Sequence, residues 1–386
     1  MKIAIVWNFP SRLLDCSFRF EQYLAGFRAL GHEPVIVCTE ASAEGGGFDA
    51  PIVTVPTAET FQDVAFWKDV NAETALITTW LRMPDVLRAI RESGTRVVAI
   101  SDSDGQAGML AFPRAGFERL MVYRDGPLDT LRRLKFFAAR QLLDRRRGTD
   151  EDRMALESAR QSDVLTICHQ VGIECFQRFL ARYGAEDLME RVRRVPFTIG
   201  DSFLACAVPE TKEDRVVTIG RWADPQKNTP LLARTIRHFL DQRPQTEVVV
   251  YGAGGERWLK PLEERYPSFT YAGVQHQEVV ARALASSRSF LGTARWESGP
   301  MVVTEALALG ATIVGVPIPS YQSYAGATAG GGPYGRIAVR RSPRALADAL
   351  VDEMAAWDHQ ERSSQEISEH WKREMQPEVL CRRLLA

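Results

Sequence analysis

Short apolar runs alternate along the chain with longer segments whose apolar residues recur every three or four positions. Residues 2–7 (KIAIVW) form such a run, residues 17–31 (SFRFEQYLAGFRALG) carry a helical period ending at Gly31, and residues 34–40 (PVIVCTE) form a second run. This predicts strand, helix and strand, one βαβ unit. The rhythm recurs in residues 73–80 (ETALITTW), 84–94 (PDVLRAIRESG) and 96–101 (RVVAIS), and again around 162–170 (SDVLTICHQ). Apolar strands separated by helices predict a parallel sheet covered on both faces.

A second such sheet is predicted downstream. Runs at 216–220, 246–252, 269–273, 288–292 and 311–317 alternate with helical patterns at 230–242, 259–266, 278–286 and 301–310. Between the halves, residues 202–214 (SFLACAVPETKED) lose the helical pattern and carry Pro209 and a charge cluster, which predicts the interdomain linker. The predicted domains are 1–198, 199–365 and a terminal helical segment, 366–386, packing back on the first domain; 386 residues suit two cores. A ligand cleft between two such domains, at the carboxyl ends of the strands, is the expected site.

Charge narrows the partners. Lys and Arg number 48 against 49 acidic residues, so no global field draws the chain to nucleic acid or anionic lipid. Local charge differs: residues 131–153 interleave arginines with apolar residues at helical spacing. That pattern fits a packed helix with a solvated charged face, or an amphipathic helix making peripheral membrane contact through residues 131–147. The cysteines (Cys16, Cys38, Cys168, Cys175, Cys206, Cys381) form no C-x-x-C pair, and Cys168-His169 lacks companion ligands for zinc. The first apolar run is too short for a secretory core or a membrane span, so a cytoplasmic protein, membrane-associated if the basic segment docks, is expected.

The chemistry concentrates in the second half. In VVTIGRWADPQKN, Gly220 and Arg221 end a strand and Lys227 follows on the loop, offering a planar guanidinium and a mobile ammonium to phosphate oxygens. YGAGGE places Gly252, Gly254 and Gly255 after a strand, either for close approach to a ligand or for a tight turn. FTYAGV ends near Val274, where backbone groups can meet the edge of a base. In ARWESGPMVVTEALALG, Pro300 suits the first helical position, Ser298 or Gly299 the cap and Gly310 the far end. The helix entrance then favours a phosphate, so Glu297 and Glu305 are expected to face hydroxyls instead, Glu305 a ribose diol and Glu297 a sugar ring. Cations for a diphosphate and carboxylates for polyols describe a sugar nucleotide. The bland alternative gives one glutamate to the helix dipole and one to a solvated face.

With GRWADPQKN, YGAGGE, YAGV and ESGPMVVTEALALG in this order, residues 195–345 resemble the retaining glycosyltransferases of family 4. The resemblance implies the α/β GT-B fold, two doubly wound Rossmann-like domains facing a cleft. It also implies a donor that is a nucleoside diphosphate sugar, UDP- or GDP-linked, a hydroxyl acceptor, and no metal or other cofactor. Arg221 and Lys227 would bind the diphosphate, Val274 the base through its backbone, Glu305 the ribose, and Glu297 with the amides around Ser298, Gly299 and Pro300 the sugar and distal phosphate.

The first half matches that family in architecture only. Where members carry glycines after the first strand this chain has NFPSRLLDCS, leaving Ser11 or Arg12 to supply the contact. Where many carry a His-Asp pair, VVAISDSDG offers Ser101-Asp102, and Asp102 is expected at the catalytic face toward the acceptor. Asp102-Ser103-Asp104 also fits the D-x-D of metal-dependent glycosyltransferases. His169, at the start of a helix, is expected either to be structural or to line the cleft. Rival readings are a noncatalytic donor-binding subunit, a sugar-nucleotide 2-epimerase, and a nicotinamide dehydrogenase, the last disfavoured because the first βα turn lacks G-x-G-x-x-G.

Overall fold

The computed structural model describes residues 1–8, 17–43, 48–144 and 148–386, and of residues 17–19 and 143 the backbone alone. The chain forms two compact units, Met1–Thr198 with Pro377–Ala386, and Ile199–Gln376.

The first unit is built on seven parallel strands: β1 (Lys2–Trp7), β2 (Glu33–Thr39), β3 (Ile52–Val55), β4 (Thr74–Thr79), β5 (Arg96–Ser101), β6 (Val164–Ile167) and β7 (Val192–Arg194), in the order β3-β2-β1-β4-β5-β6-β7. The central strands are the apolar runs of the sequence. Ile3, Ala4, Ile36, Val37, Ile77 and Val98 are fully buried, as a sheet covered on both faces demands. The edge strands β3 and β7 lie outside the periodic pattern, because Ile52–Val55 alternates only weakly and Val192–Arg194 holds two arginines. One core layer packs Trp67, Leu87 and Ile90 against Val35, Ile77 and Val97; another packs Phe176 and Phe179 against Ala99 and Leu165.

The second unit has its own sheet: β8 (Glu213–Ile219), β9 (Glu247–Tyr251), β10 (Phe269–Gly273), β11 (Ser287–Gly292), β12 (Thr312–Gly315), β13 (Gly330–Gly332) and β14 (Gly335–Ile337), ordered β10-β9-β8-β11-β12-β14-β13. All pairs are parallel except the glycine-rich hairpin β13–β14, which has no apolar alternation to announce it. From β8 the chain adds strands on one side through β10, then returns to place β11 on the other. The crevice at such a reversal, here between the carboxyl ends of β8 and β11, is where doubly wound sheets bind ligands.

Three boundaries differ from the sequence expectation. Residues 202–214 belong to the second unit rather than to a linker: Lys372 Nζ donates to Cys206 O at 2.6 Å, Gln365 Nε2 to Val208 O at 2.9 Å, and Ser364 Oγ to Pro209 O at 3.1 Å. The terminal segment is two helices. Ser364–Glu374 stays with the second unit, with Ser368 Oγ donating to Ala308 O at 2.7 Å, and the return to the first unit begins at Pro377 rather than at residue 366. Pro377 lacks an N–H to continue a helix but suits the first turn of Pro377–Leu385, which packs on Ser17–Ala29 where Gly26 admits the backbone of Pro377. The basic pattern at 131–153 is also divided: a helix spans Gly126–Leu143, Gly148 turns at φ 76°, and a Thr149–Asp152 capping box starts Asp150–Gln161. Arg145, Arg146 and Arg147 lie outside the described residues.

Candidate functional site at the β8–β11 switch point

β8 delivers the cations. The Gly220 N–H donates to Tyr251 O at 3.1 Å, and the Trp222 indole folds over Gly220, its Nε1 donating to Tyr251 O at 2.8 Å. A Cβ on Gly220 would come within 3.0 Å of that indole. Arg221 instead projects outward, its side chain 80% exposed and 3.3 Å from Asp224. Asp224 also caps the short turn Pro225–Lys227 by accepting from Gln226 N at 2.9 Å, and Asn228 at φ 57° turns the chain into the helix Thr229–Leu240.

This turn is clamped to the loop that follows β11. Thr293 Oγ1 donates to Lys227 O at 2.9 Å, Arg295 N to Gln226 O at 2.8 Å, and Gln226 Nε2 to Trp296 O at 2.7 Å. Held in this way, Lys227 Nζ reaches Glu297 Oε1 at 2.5 Å, an ion pair across the switch point. The sequence sorted Lys227 to phosphate and Glu297 to sugar. The fold brings the two together, because strands distant in sequence are neighbours in the sheet.

The glycine turn packs closely against the neighbouring strand ends. Gly252 has φ 108°, and a Cβ there would stand 1.9 Å from Gly220 O; its N–H donates to Gly273 O at 2.7 Å, tying the ends of β8, β9 and β10. Gly254, at φ 85°, is pressed against Ala223, and Gly255 precedes the helix Glu256–Arg265. Of the two readings weighed for this turn, tight packing is the one with a named contact. Val274, just beyond β10, is exposed.

The helix Met301–Ala308 starts one residue later than expected, with Pro300 at the cap rather than in the first helical position and no side chain capping it. Ser298 and Gly299 form the half-buried bend before it, and Gly310 turns the chain at φ 73° beyond its end. Glu305 is buried on this helix, and its carboxyl has no hydrogen-bond or ion partner among the described residues. Burial pushes its carboxyl up to about 8 from 4.5.

Tyr321 is part of the site that sequence reasoning missed. Its ring fills the space over Gly292 and Gly315, at the ends of β11 and β12, where a Cβ on either would come within 2.6 Å. The Ala294 N–H donates to its hydroxyl, and burial together with the Glu297 charge raises its pKa. Glycines closing two adjacent strands were the only signal, and they do not say which aromatic fills the gap.

The first unit carries Asp102 just after β5, half-buried and accepting from Trp80 Nε1 at 3.2 Å. Asp104 is buried, bonded to the Arg119 guanidinium and accepting from Gln106 N at 3.0 Å, so it is spent on holding its own loop. Among the described residues no group of three His, Cys, Asp or Glu could hold a metal ion. His169 is fully buried as the cap of Gln170–Arg182: its Nδ1 accepts from Gly172 N at 2.8 Å, and burial pushes its pKa down to about 4. Ser11 and Arg12 lie outside the described residues.

Residues 213–355 match the family described as Glycosyl transferases group 1. No curated protein matches the chain in sequence. Its fold is that of GT-B glycosyltransferases. Similar solved structures include AviGT4, a glycosyltransferase involved in avilamycin A biosynthesis, with TM-score 0.58 and 15% identity over 100% of this chain and 96% of that one. Anabaena HepE in complex with UDP and glucose has TM-score 0.61 and 12% identity over 100% and 98% of the two chains. The lipopolysaccharide outer core galactosyltransferase WaaB has TM-score 0.61 and 13% identity over 99% and 98%. At these identities the likeness is one of fold.

Proposed function

We propose that this chain transfers a sugar from a nucleoside diphosphate sugar, UDP- or GDP-linked, to a hydroxyl acceptor, with the anomeric configuration retained and with side-chain cations in place of a metal ion. The observation that carries this reading is the Lys227–Glu297 pair at the switch point, with a second carboxyl, Glu305, buried nearby in sequence on the helix that follows and lacking a protein partner among the described residues. A cation and a carboxyl at one sheet end, with a second carboxyl on the helix that follows, suit a ligand that alternates pyrophosphate with vicinal hydroxyls. The group 1 family match over residues 213–355 and the UDP-bound HepE neighbour support it.

In the reaction, the bond between the sugar and the distal phosphate oxygen breaks as the acceptor oxygen attacks the anomeric carbon. Charge grows on the leaving phosphate, and Lys227, Arg221 and the N–H groups opening Met301–Ala308 offset it; losing one such contact costs about 2 to 4 kcal/mol of transition-state stabilisation. Glu297 orients the sugar hydroxyls, Glu305 accepts from the ribose, and the backbone at Val274 meets the base. The leaving phosphate takes the acceptor's proton on the same face. Asp102 is the acceptor-side group in this reading.

A thermal-shift panel of UDP-, GDP-, ADP- and dTDP-sugars tests the donor. A ligand at a hundred times its Kd stabilises the fold by about 2.7 kcal/mol, and Arg221→Ala should lose most of that rise. A wild-type protein shifted by none of them ends the proposal. Conversion of the donor without any acceptor would instead make the chain an epimerase, and donor binding with no turnover on any acceptor would make it a binding subunit.

A further inference from the structure

Among the described residues the helices Pro113–Val122 and Gly126–Leu143 bury no side chain, whereas Pro84–Glu92 in the same unit buries Val86, Leu87, Ala89 and Ile90. Of the twelve large hydrophobic side chains exposed among the described residues, seven lie in this segment: Phe117, Tyr123, Leu128, Leu131, Leu134, Phe136 and Leu142. Leu128 and Leu142 are 78% and 80% exposed. Monomeric proteins seldom concentrate apolar surface in this way without a use for it.

The longer helix is inverted. Its inward face holds Arg133, which donates to Leu120 O at 2.7 Å and to Asp129 at 2.7 Å, together with Gln141, which donates to Met109 O at 3.4 Å. Phe137 joins that face, 5.1 Å from Phe117. The leucines therefore point to solvent because polar side chains have taken the protein side. Beside them Arg114, Arg124, Arg132 and Lys135 are exposed, and none forms a salt bridge with a carboxylate among the described residues. Asp129 and Asp144 are occupied by Arg133 and Arg140.

We infer that this helical hairpin docks on an anionic lipid surface, the leucines entering the acyl boundary and the four cations meeting the headgroups. A helix with an apolar face flanked by Lys and Arg lies in the interface plane. No helix among the described residues is long and apolar enough to cross a membrane, so the segment would lie on the surface rather than span it. The same four cations argue against a second copy of the chain as the occupant, since a symmetric contact would bring them against their equivalents.

Flotation of the full-length protein with vesicles separates the outcomes. Wild type should float with mixed phosphatidylglycerol–phosphatidylcholine vesicles, bind phosphatidylcholine alone at least about tenfold more weakly, and lose binding as salt rises. The combined variant Leu128→Ser, Leu131→Ser, Leu142→Ser should lose about tenfold or more in vesicle affinity, and Arg132→Glu with Lys135→Glu should abolish the preference for the anionic lipid. All three positions of the leucine variant face solvent, so its melting temperature should match wild type, and sugar-nucleotide binding gives an independent check that it is folded. Wild type remaining in the aqueous fraction with both vesicle types overturns the inference. So does a concentration-dependent dimer that the leucine variant dissolves.

Discussion

Lys227 Nζ lies 2.5 Å from Glu297 Oε1, and the two side chains are only 18% and 11% exposed. The pair joins the loop after β8 to the loop after β11, so a cation and an anion that are seventy positions apart in sequence compensate each other where the sheet order reverses. A diphosphate entering this crevice must compete with Glu297 for Lys227.

That competition has a consequence for binding. Glu297→Gln removes a negative charge beside the proposed diphosphate site and frees Lys227, so UDP without a sugar should bind about tenfold more tightly while sugar transfer falls by about a hundredfold or more. Lys227→Met should weaken UDP and transfer together, and should also destabilise the fold by removing the cation that compensates a mostly buried carboxylate. Calorimetric titration of UDP into both variants checks this; equal UDP affinity in Glu297→Gln and wild type would refute the competition.

Glu305 makes stability depend on pH. Its folded pKa of about 8 lies above the ordinary 4.5, so the folded chain keeps a proton that the unfolded chain releases. The contribution is complete below pH 4.5 and is lost as pH rises toward 8, because the unfolded state binds fewer protons across that window. Glu305→Gln should flatten the decline by up to about 1.4 kcal/mol per pH unit. Urea unfolding at a series of pH values measures the two slopes, and parallel curves would show that Glu305 is not held protonated.

His169 is assigned to structure rather than chemistry. An asparagine can accept the same Gly172 N–H, so His169→Asn should be more stable than His169→Ala by about 1 kcal/mol, with transfer activity within a few-fold of wild type. Loss of turnover in the asparagine variant at an unchanged melting temperature would return His169 to the reacting groups.

Gly252 and Gly31 separate contact from conformation. Both have positive φ, 108° and 77°, but a Cβ on Gly252 would collide with Gly220 O whereas nothing lies within 4 Å of one on Gly31. Gly31→Ala should cost about 1 kcal/mol through backbone strain alone, and Gly252→Ala more than about 2 kcal/mol with loss of donor binding as the ends of β8 and β9 part. Denaturant midpoints compare them; equal losses would mean that the close approach to Gly220 is not maintained in solution.

The alternation of buried strands with amphipathic helices was legible in the amino-acid order, because a strand buried on both faces must be apolar at every position and its covering helix every third or fourth. Central strands such as Lys2–Trp7 and Glu247–Tyr251 announce themselves in this way, whereas Gly330–Gly332 and Val192–Arg194 are held by neighbours rather than by their own composition. Local motifs could also nominate Arg221, Lys227, Glu297 and Glu305, since residue type and distance from a strand end are properties of the chain. Pairings across the sheet could not be seen. That Lys227 meets Glu297, that Tyr321 closes the gap over Gly292 and Gly315, and that Leu128, Leu131, Leu134 and Leu142 face outward were decided by strand order and by which side chains occupy the interior. Hydrophobic periodicity records how one segment divides its faces, and the identity of the surface each face meets exists only once distant segments have been brought together.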